Sequence, residues 1–263
     1  MRIIIEENYN ALSRKAAAII AREITVKPTA VLGLATGSTP LGVYEELIKM
    51  HKKEGLDFSG VRTFNLDEYY GLNPEHPESY HTFMFKNFFE KVNVKRGNVS
   101  IPDGMVVDVD QFCTDYEKHI RDGGGIDLQL LGIGRDGHIG FNEPGSSLAS
   151  RTRLKTLTEE TVRDNARFFG RKGQVPHFAI TMGVGTILEA KKLLMLASGE
   201  NKAEAVRNAI EGPVSSQVTA SALQLHPKVS VILDGPAASL LKRRDYYAYV
   251  EKMASQVQAE VET

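Results

Sequence analysis

Short apolar, β-branched runs alternate with helical patterns along nearly the whole chain. "RIII" opens it and a helix is expected around Leu12–Glu23. "TAVLGLA" (29–35) reads as a strand and "PLGVYEELIKMHKKE" as the helix after it; "VRTFNLD" (61–67) is the next strand. "IDLQLLGIG" (126–134), "HFAITMG" (177–183), "KLLMLASG" (192–199) and "KVSVILDG" (228–235) complete the strand set. Helical patterns at "TILEAK", "NKAEAVRNAIEG" and "PAASLLK" lie between or after the last of these. Strands apolar on both faces and separated by helices predict a doubly wound, mostly parallel sheet with helices on both faces. No repeat, low-complexity tract or linker divides the chain, so residues 1–263 are read as one domain. In such sheets ligands bind beyond the carboxyl ends of the strands.

Composition narrows the function class. Of 263 residues 42% are hydrophobic and 25% charged, as in ordinary globular proteins. Basic and acidic residues number 32 and 33, a net charge of −1, which gives no footprint for nucleic acid. No apolar run is long enough to span a bilayer and "MRIIIEENYN" has no signal-peptide core, so a cytoplasmic enzyme is expected. The single cysteine, Cys113, excludes an internal disulfide and a cysteine-rich zinc site. It shares a helical face with Val109, Phe112 and Tyr116 and reads as a buried structural thiol.

Four strand ends carry chemistry. After "TAVLGLA" come Thr36, Gly37, Ser38 and Thr39, with Pro40 suited to the first helical position. Free backbone N–H groups, hydroxyls and the helix end would bind an anion. A plain loop with Ser or Thr as the helix cap reads the same from the sequence. After "RTFNL", alternation sends Asp67 to the open end of the sheet, with Glu68 as its competitor. After "LASG", Asn201 is the expected cap and Lys202 falls in the first helical turn, where the helix dipole disfavours a cation unless an anion is shared. Arg167 is a candidate second cation for that anion.

The fourth end is "LQLLGIGRDGHIGFNEPGSS" (128–147), which contains G-x-G-x-x-G at Gly132, Gly134 and Gly137. A dinucleotide fingerprint must open a helix, and no helical periodicity follows before about Glu159. The glycines therefore shape a loop. Asp136, His138 and Glu143 share it, in a spacing that matches no common metal-ligand set, so no metal is expected. What remains is His138 as a proton shuttle between two carboxylates.

"LATGSTP", "FNLDEYYGL", "HPESYHTFM", "GIGRDGHIGFNEPGSSLASRTRLKTLT" and "LQLHPK" together resemble the glucosamine-6-phosphate deaminase (isomerase) family over essentially the whole chain. The resemblance implies a Rossmann-like α/β/α fold, no cofactor, and conversion of glucosamine 6-phosphate to fructose 6-phosphate and ammonia. It makes Asp67 the base that moves a proton between C2 and C1, His138 the residue that opens the pyranose ring, and Asp136 and Glu143 its carboxylate partners. Ser38, Thr39, Arg167 and Lys202 would hold the phosphate. In regulated members N-acetylglucosamine 6-phosphate binds between subunits, and Ser147, Arg153 and Lys155 stand at the matching positions. The implied protein self-associates, is basally active, and has that effector as a candidate activator. A 6-phosphogluconolactonase-like hydrolase and a non-catalytic sugar-phosphate sensor are the competing readings. A base aimed at C2 has no use in lactone hydrolysis, and the acid–base residues argue against a sensor.

Overall fold

The structure, a computed structural model, describes residues 1–169 and 175–261, apart from the side chains at 167, 168, 255 and 257–261. Its elements run β1 (Arg2–Glu6), α1 (Tyr9–Val26), β2 (Val31–Leu34), α2 (Leu41–Glu54), β3 (Arg62–Asn65), β4 (Asp67–Tyr69), α3 (Tyr80–Asn87), β5 (Val99–Ser100) and α4 (Val109–Asp122). They continue as β6 (Leu128–Leu131), β7 (Arg153–Thr156), α5 (Glu159–Phe169), β8 (Phe178–Thr181), α6 (Val184–Leu188), β9 (Leu193–Ala197), α7 (Ala203–Glu211), β10 (Val229–Asp234) and α8 (Arg244–Val261).

Seven strands form one sheet in the order β1-β10-β9-β6-β2-β3-β5, and every pairing in it is parallel. Strands of this sheet are buried on both faces because each face meets helices. Leu32, Leu34, Leu128 and Leu194 pack on one side with Leu12, Ile20, Val43 and Leu47 of α1 and α2. Val31, Leu131, Met195 and Val231 pack on the other with Tyr116 and Ile120 of α4 and Val206 of α7. Cys113 is buried on the helical face its spacing predicted.

The order explains where a site can form. From β2 the chain builds outward through β3 and β5; it then returns to the opposite side of β2 with β6 and proceeds through β9 and β10. The direction reverses between β2 and β6. Loops leaving their carboxyl ends diverge to opposite faces and leave a crevice.

Two features depart from the sequence expectation. "VRTFNLD" is not one strand but two, joined at Leu66. The Leu66 N–H donates to Leu34 in the parallel sheet at 3.0 Å, while its carbonyl accepts from Met182 N–H at 2.7 Å. Beyond it the chain belongs to a second, three-stranded antiparallel sheet, β4-β8-β7, in which Asp67 faces Thr181. "HFAITMG" therefore joins this small sheet rather than the parallel one. Alternation of apolar residues is the same in either sheet, so the pattern alone could not separate them. "PAASLLK" likewise forms turns instead of a helix, and α8 starts only at Arg244.

Candidate active site

The two loops at the β2/β6 crevice are braced from beneath. After β2, Gly37 takes φ +97, a conformation that favours glycine. The Tyr9 hydroxyl on α1 lies 3.1 and 2.9 Å from the carbonyls of Ser38 and Thr39 and accepts from Gly42 N–H at 2.8 Å. α2 begins at Leu41 with Pro40 at the cap position, one residue before its expected place. Pro40 makes no side-chain cap bond and the first-turn Gly42 N–H goes to the Tyr9 hydroxyl, so the Ser38 and Thr39 hydroxyls do not serve as the cap. Thr36, Ser38 and Thr39 line the cleft above.

On the far side, Glu200–Lys202 form a single 3-10 turn and α7 starts at Ala203. Lys202, not Asn201, occupies the cap position of α7. Its ammonium donates to the Ile133 carbonyl at 2.7 Å, which draws it toward the loop after β6. Asp234, at the end of β10, holds this turn by accepting from the Ser198 hydroxyl at 2.5 Å and from Gly199 N–H at 3.1 Å. Arg167 belongs to α5, and its side chain lies outside the described residues.

The loop after β6 opens no helix, as its lack of periodicity predicts. Gly134 is needed for a reason other than a pyrophosphate: a Cβ there would meet the His138 ring at 2.5 Å. The imidazole lies over this backbone with Nδ1 2.7 Å from Asp136 Oδ1 and 3.4 Å from Glu143 Oε2. Burial would lower the His138 pKa, but contact with the two carboxylates outweighs it and lifts the value to about 9. The same partnership holds Asp136 and Glu143 below the usual carboxylate range against the opposing effect of burial. With Nδ1 turned to its carboxylates, Nε2 is the nitrogen left to the cleft. These donor atoms lie within 4.8 Å of one another, a triangle that could take a cation; here the ring nitrogen itself faces both carboxylates.

Asp67 and His138 both line this cleft, about 520 Å³ in volume. Asp67 is only 6% exposed. Burial foremost, and then the charge of Glu68, push its carboxyl up to about 7, with His138 pulling the other way. Glu68 does not compete for the cleft. Its carboxylate accepts from the backbone N–H groups of Tyr69, Tyr80 and His81, each at 2.9 Å. The structure thus brings Thr36–Thr39, Asp67, His138 and Lys202 to one cleft, with Asp136 and Glu143 behind the histidine.

Sequence reasoning did not single out the aromatic wall. Tyr69, Tyr80 and Phe141 line the cleft, with the Tyr80 and Phe141 rings nearly parallel at 6.0 Å between centroids. Tyr80 lies in "HPESYHTFM", where nothing but the resemblance marked it. Arg135 and Arg163 also reach the cleft; surface spacing gave no signal for either.

Ser147, Arg153 and Lys155 are not among the residues lining this cleft. Alternation in an extended "SRTRLK" would put Arg151, Arg153 and Lys155 on one side as a basic stripe, but Arg151 is committed to acids elsewhere. Arg151 pairs with Glu117 and Glu189, and Arg153 donates to the Asn142 side chain at 2.9 Å. Arg153 and Lys155 do remain on one face of β7.

The family described as glucosamine-6-phosphate isomerases/6-phosphogluconolactonase matches residues 5–232. The chain belongs to that family. It is 54% identical over 245 residues to a glucosamine-6-phosphate deaminase of Thermoanaerobacter pseudethanolicus, covering 93% of this chain and 97% of the relative. It is 55% identical over 241 residues to one from Halothermothrix orenii, covering 92% and 100%. A solved structure described as a monomeric glucosamine-6-phosphate deaminase superposes with a TM-score of 0.90 at 49% identity, over 91% of this chain and all of that one.

Proposed function

We propose that this chain is a glucosamine-6-phosphate deaminase, converting glucosamine 6-phosphate and water to fructose 6-phosphate and ammonia. The observation that carries the reading is the buried Asp67 carboxyl opposite His138 in a cleft whose rim is an anion loop. Relatives above 50% identity over nearly the full chain bear the same name.

In this reading the 6-phosphate rests on Thr36, Gly37, Ser38 and Thr39, with Lys202 and Arg167 supplying charge. His138 moves a proton from O1 to the ring oxygen, which frees the C1 aldehyde. Asp67 takes the C2 proton and returns it to C1 while the amino nitrogen gives up a proton and O1 gains one, leaving a C1 hydroxymethyl group and an imine at C2. Water adds to C2, the nitrogen is protonated, and ammonia departs. A carboxyl near pKa 7 suits the exchange, because a general base works best close to the operating pH. Lactone hydrolysis would leave Asp67 without a task, which disfavours the lactonase reading.

Two further parts belong to this proposal. The enzyme is cytoplasmic and basally active; kinship with a deaminase described as monomeric supports basal activity without neighbouring subunits. Arg153 and Lys155 on one face of β7, with Ser147 in the loop before it, are the residues at which N-acetylglucosamine 6-phosphate would act on a self-associated form. Supplying glucosamine 6-phosphate after dialysis against chelator tests the reaction: ammonia and fructose 6-phosphate should appear in equal amounts. Activity lost with chelator and restored by zinc would place a cation in the Asp136–His138–Glu143 triangle. Initial rates with and without the effector, beside sedimentation velocity, test the rest.

A further inference from the structure

Glu68 is 2% exposed, carries no counter-cation in its described contacts, and sits one residue from the base. A carboxylate in that state is costly to bury unless its oxygens are satisfied. Here its oxygens accept from three backbone N–H groups of two elements, its own strand β4 through Tyr69 and the first turn of α3 through Tyr80 and His81, although burial still outweighs them and lifts the carboxyl to about 7. α3 thereby receives an acid at its N-terminus, where the dipole favours one, in addition to the Ser79 hydroxyl that caps Thr82 N–H at 3.0 Å. The first residue of α3 is Tyr80. Its hydroxyl lies 3.4 Å from that of Tyr69, and its ring shares the cleft lining with Thr36 of the loop after β2, whose side chain acts on that hydroxyl. A continuous chain of contacts thus runs from the base, through Glu68 and Tyr80, to the loop proposed to hold the phosphate.

We propose that Glu68 is a positioning residue for the reaction: its buried carboxyl and its three backbone bonds hold Asp67 and Tyr80 as one unit. The inference rests on the deaminase reading of this cleft, in which Asp67 is the base. The groups facing Asp67 are Glu68 on its own strand, His138 from the loop after β6, Tyr69 and Tyr80 at the aromatic wall, and Tyr116 on α4. The tyrosines are held neutral by burial. Glu68 is therefore the acidic neighbour that opposes ionisation of Asp67, and His138 the basic one that favours it. Asp103 is the acid that faces Glu68 in turn.

The test is a carboxyl-carbon NMR titration of the full chain, assigned with Asp67→Asn. In Glu68→Gln the Asp67 midpoint should fall by about one pH unit, and the acid limb of kcat/KM should follow it. Glu68→Asp keeps the charge and should hold the midpoint near that of the parent. An Asp67 midpoint unmoved in the Gln variant, or moved equally in the Asp variant, overturns the proposal. Should the Gln variant not fold, Tyr80→Phe examines the far end of the chain. Inorganic phosphate should then bind several-fold more weakly with Asp67 titrating as before, and unchanged phosphate binding overturns the brace. The titration needs no turnover, so it decides the role of Glu68 separately from the ammonia assay, which decides the reaction.

Discussion

The two halves of the cleft are built on opposite principles. In the acid–base half, Asp67 and Glu143 are 6% and 2% exposed, and His138 stands between carboxylates. In the half proposed to hold the phosphate, Ser38 is exposed and Thr36, Thr39 and Lys202 are half-buried, on loops held by backbone bonds and a tyrosine. The contrast follows from what each must do. Proton transfer at neutral pH needs carboxyl and imidazole groups displaced from their ordinary values, and burial beside charges is the means. A dianionic phosphate needs donors that await it, and these can stay hydrated until it arrives. Substitutions should therefore act on rate and pH dependence in one half and on affinity in the other.

The sharpest break comes from Asp67→Asn. Shape is kept and the base is removed, so turnover should fall by roughly 10³-fold with KM little changed. Solvent deuterium should enter C1 of the product in the parent protein and not measurably in the variant. Near-normal turnover would remove Asp67 from the role of base.

Lys202→Ala probes the other half. Loss of one charge-assisted bond, about 1.5–3 kcal/mol, should weaken every 6-phosphorylated ligand by roughly 10- to 150-fold and leave glucosamine unaffected. Calorimetric titration of both sugars reads this directly. Equal losses would make Lys202 a support for the Ile133 loop instead.

Within the acid–base half, the two partners of His138 should differ. Its raised value sets the alkaline limb of kcat/KM near 9. Asp136→Asn, which removes the partner at 2.7 Å, should move that limb down by about one pH unit. Glu143→Gln, at 3.4 Å, should move it less. A limb that ignores both would belong to another group.

The smallest effect is on stability. The Asp67 value of about 7 in the fold exceeds its ordinary 3.8, so its contribution is full below the latter and lost as pH rises through the former. His138, raised from 6.5 to about 9, adds a second loss between those values. The melting temperature should decline across this range, and Asp67→Asn should melt a few degrees above the parent at pH 8 while matching it near pH 4. Calorimetric scans at both pH values check it, and a variant that melts lower at pH 8 would refute the buried-charge account.

Much of this was legible in the chain because the signals are local. Apolar runs of four to six residues separated by helical periodicity predict the parallel, doubly covered sheet, which the structure has. A hydroxyl-rich turn after "TAVLGLA" and two acids around His138 point to an anion loop and an acid–base loop, and folding brings both to one crevice. The bland alternative for Ser38 and Thr39, a helix cap, could not be set aside from spacing alone; it is set aside because α2 has Pro40 at the cap position and its Gly42 N–H goes to Tyr9.

Other matters waited on the tertiary structure. Whether "HFAITMG" pairs with β9 or with β4 depends on partners more than a hundred residues away in one case, and alternation is blind to the choice. The chain's departure from the parallel sheet at Leu66 is decided by one N–H and one carbonyl pointing to different sheets. Asp67 and Glu68 are adjacent acids of equal standing in sequence; only the fold turns one to the cleft and gives the other three N–H groups of its own strand and α3. Alternation alone would set Arg151 beside Arg153 and Lys155, but in space Glu117 and Glu189 lie beside it and take its guanidinium. The amino-acid sequence set the kinds of element and the chemistry at their ends, because these depend on neighbours along the chain. Which charges meet, and which line the cleft, is settled by long-range packing.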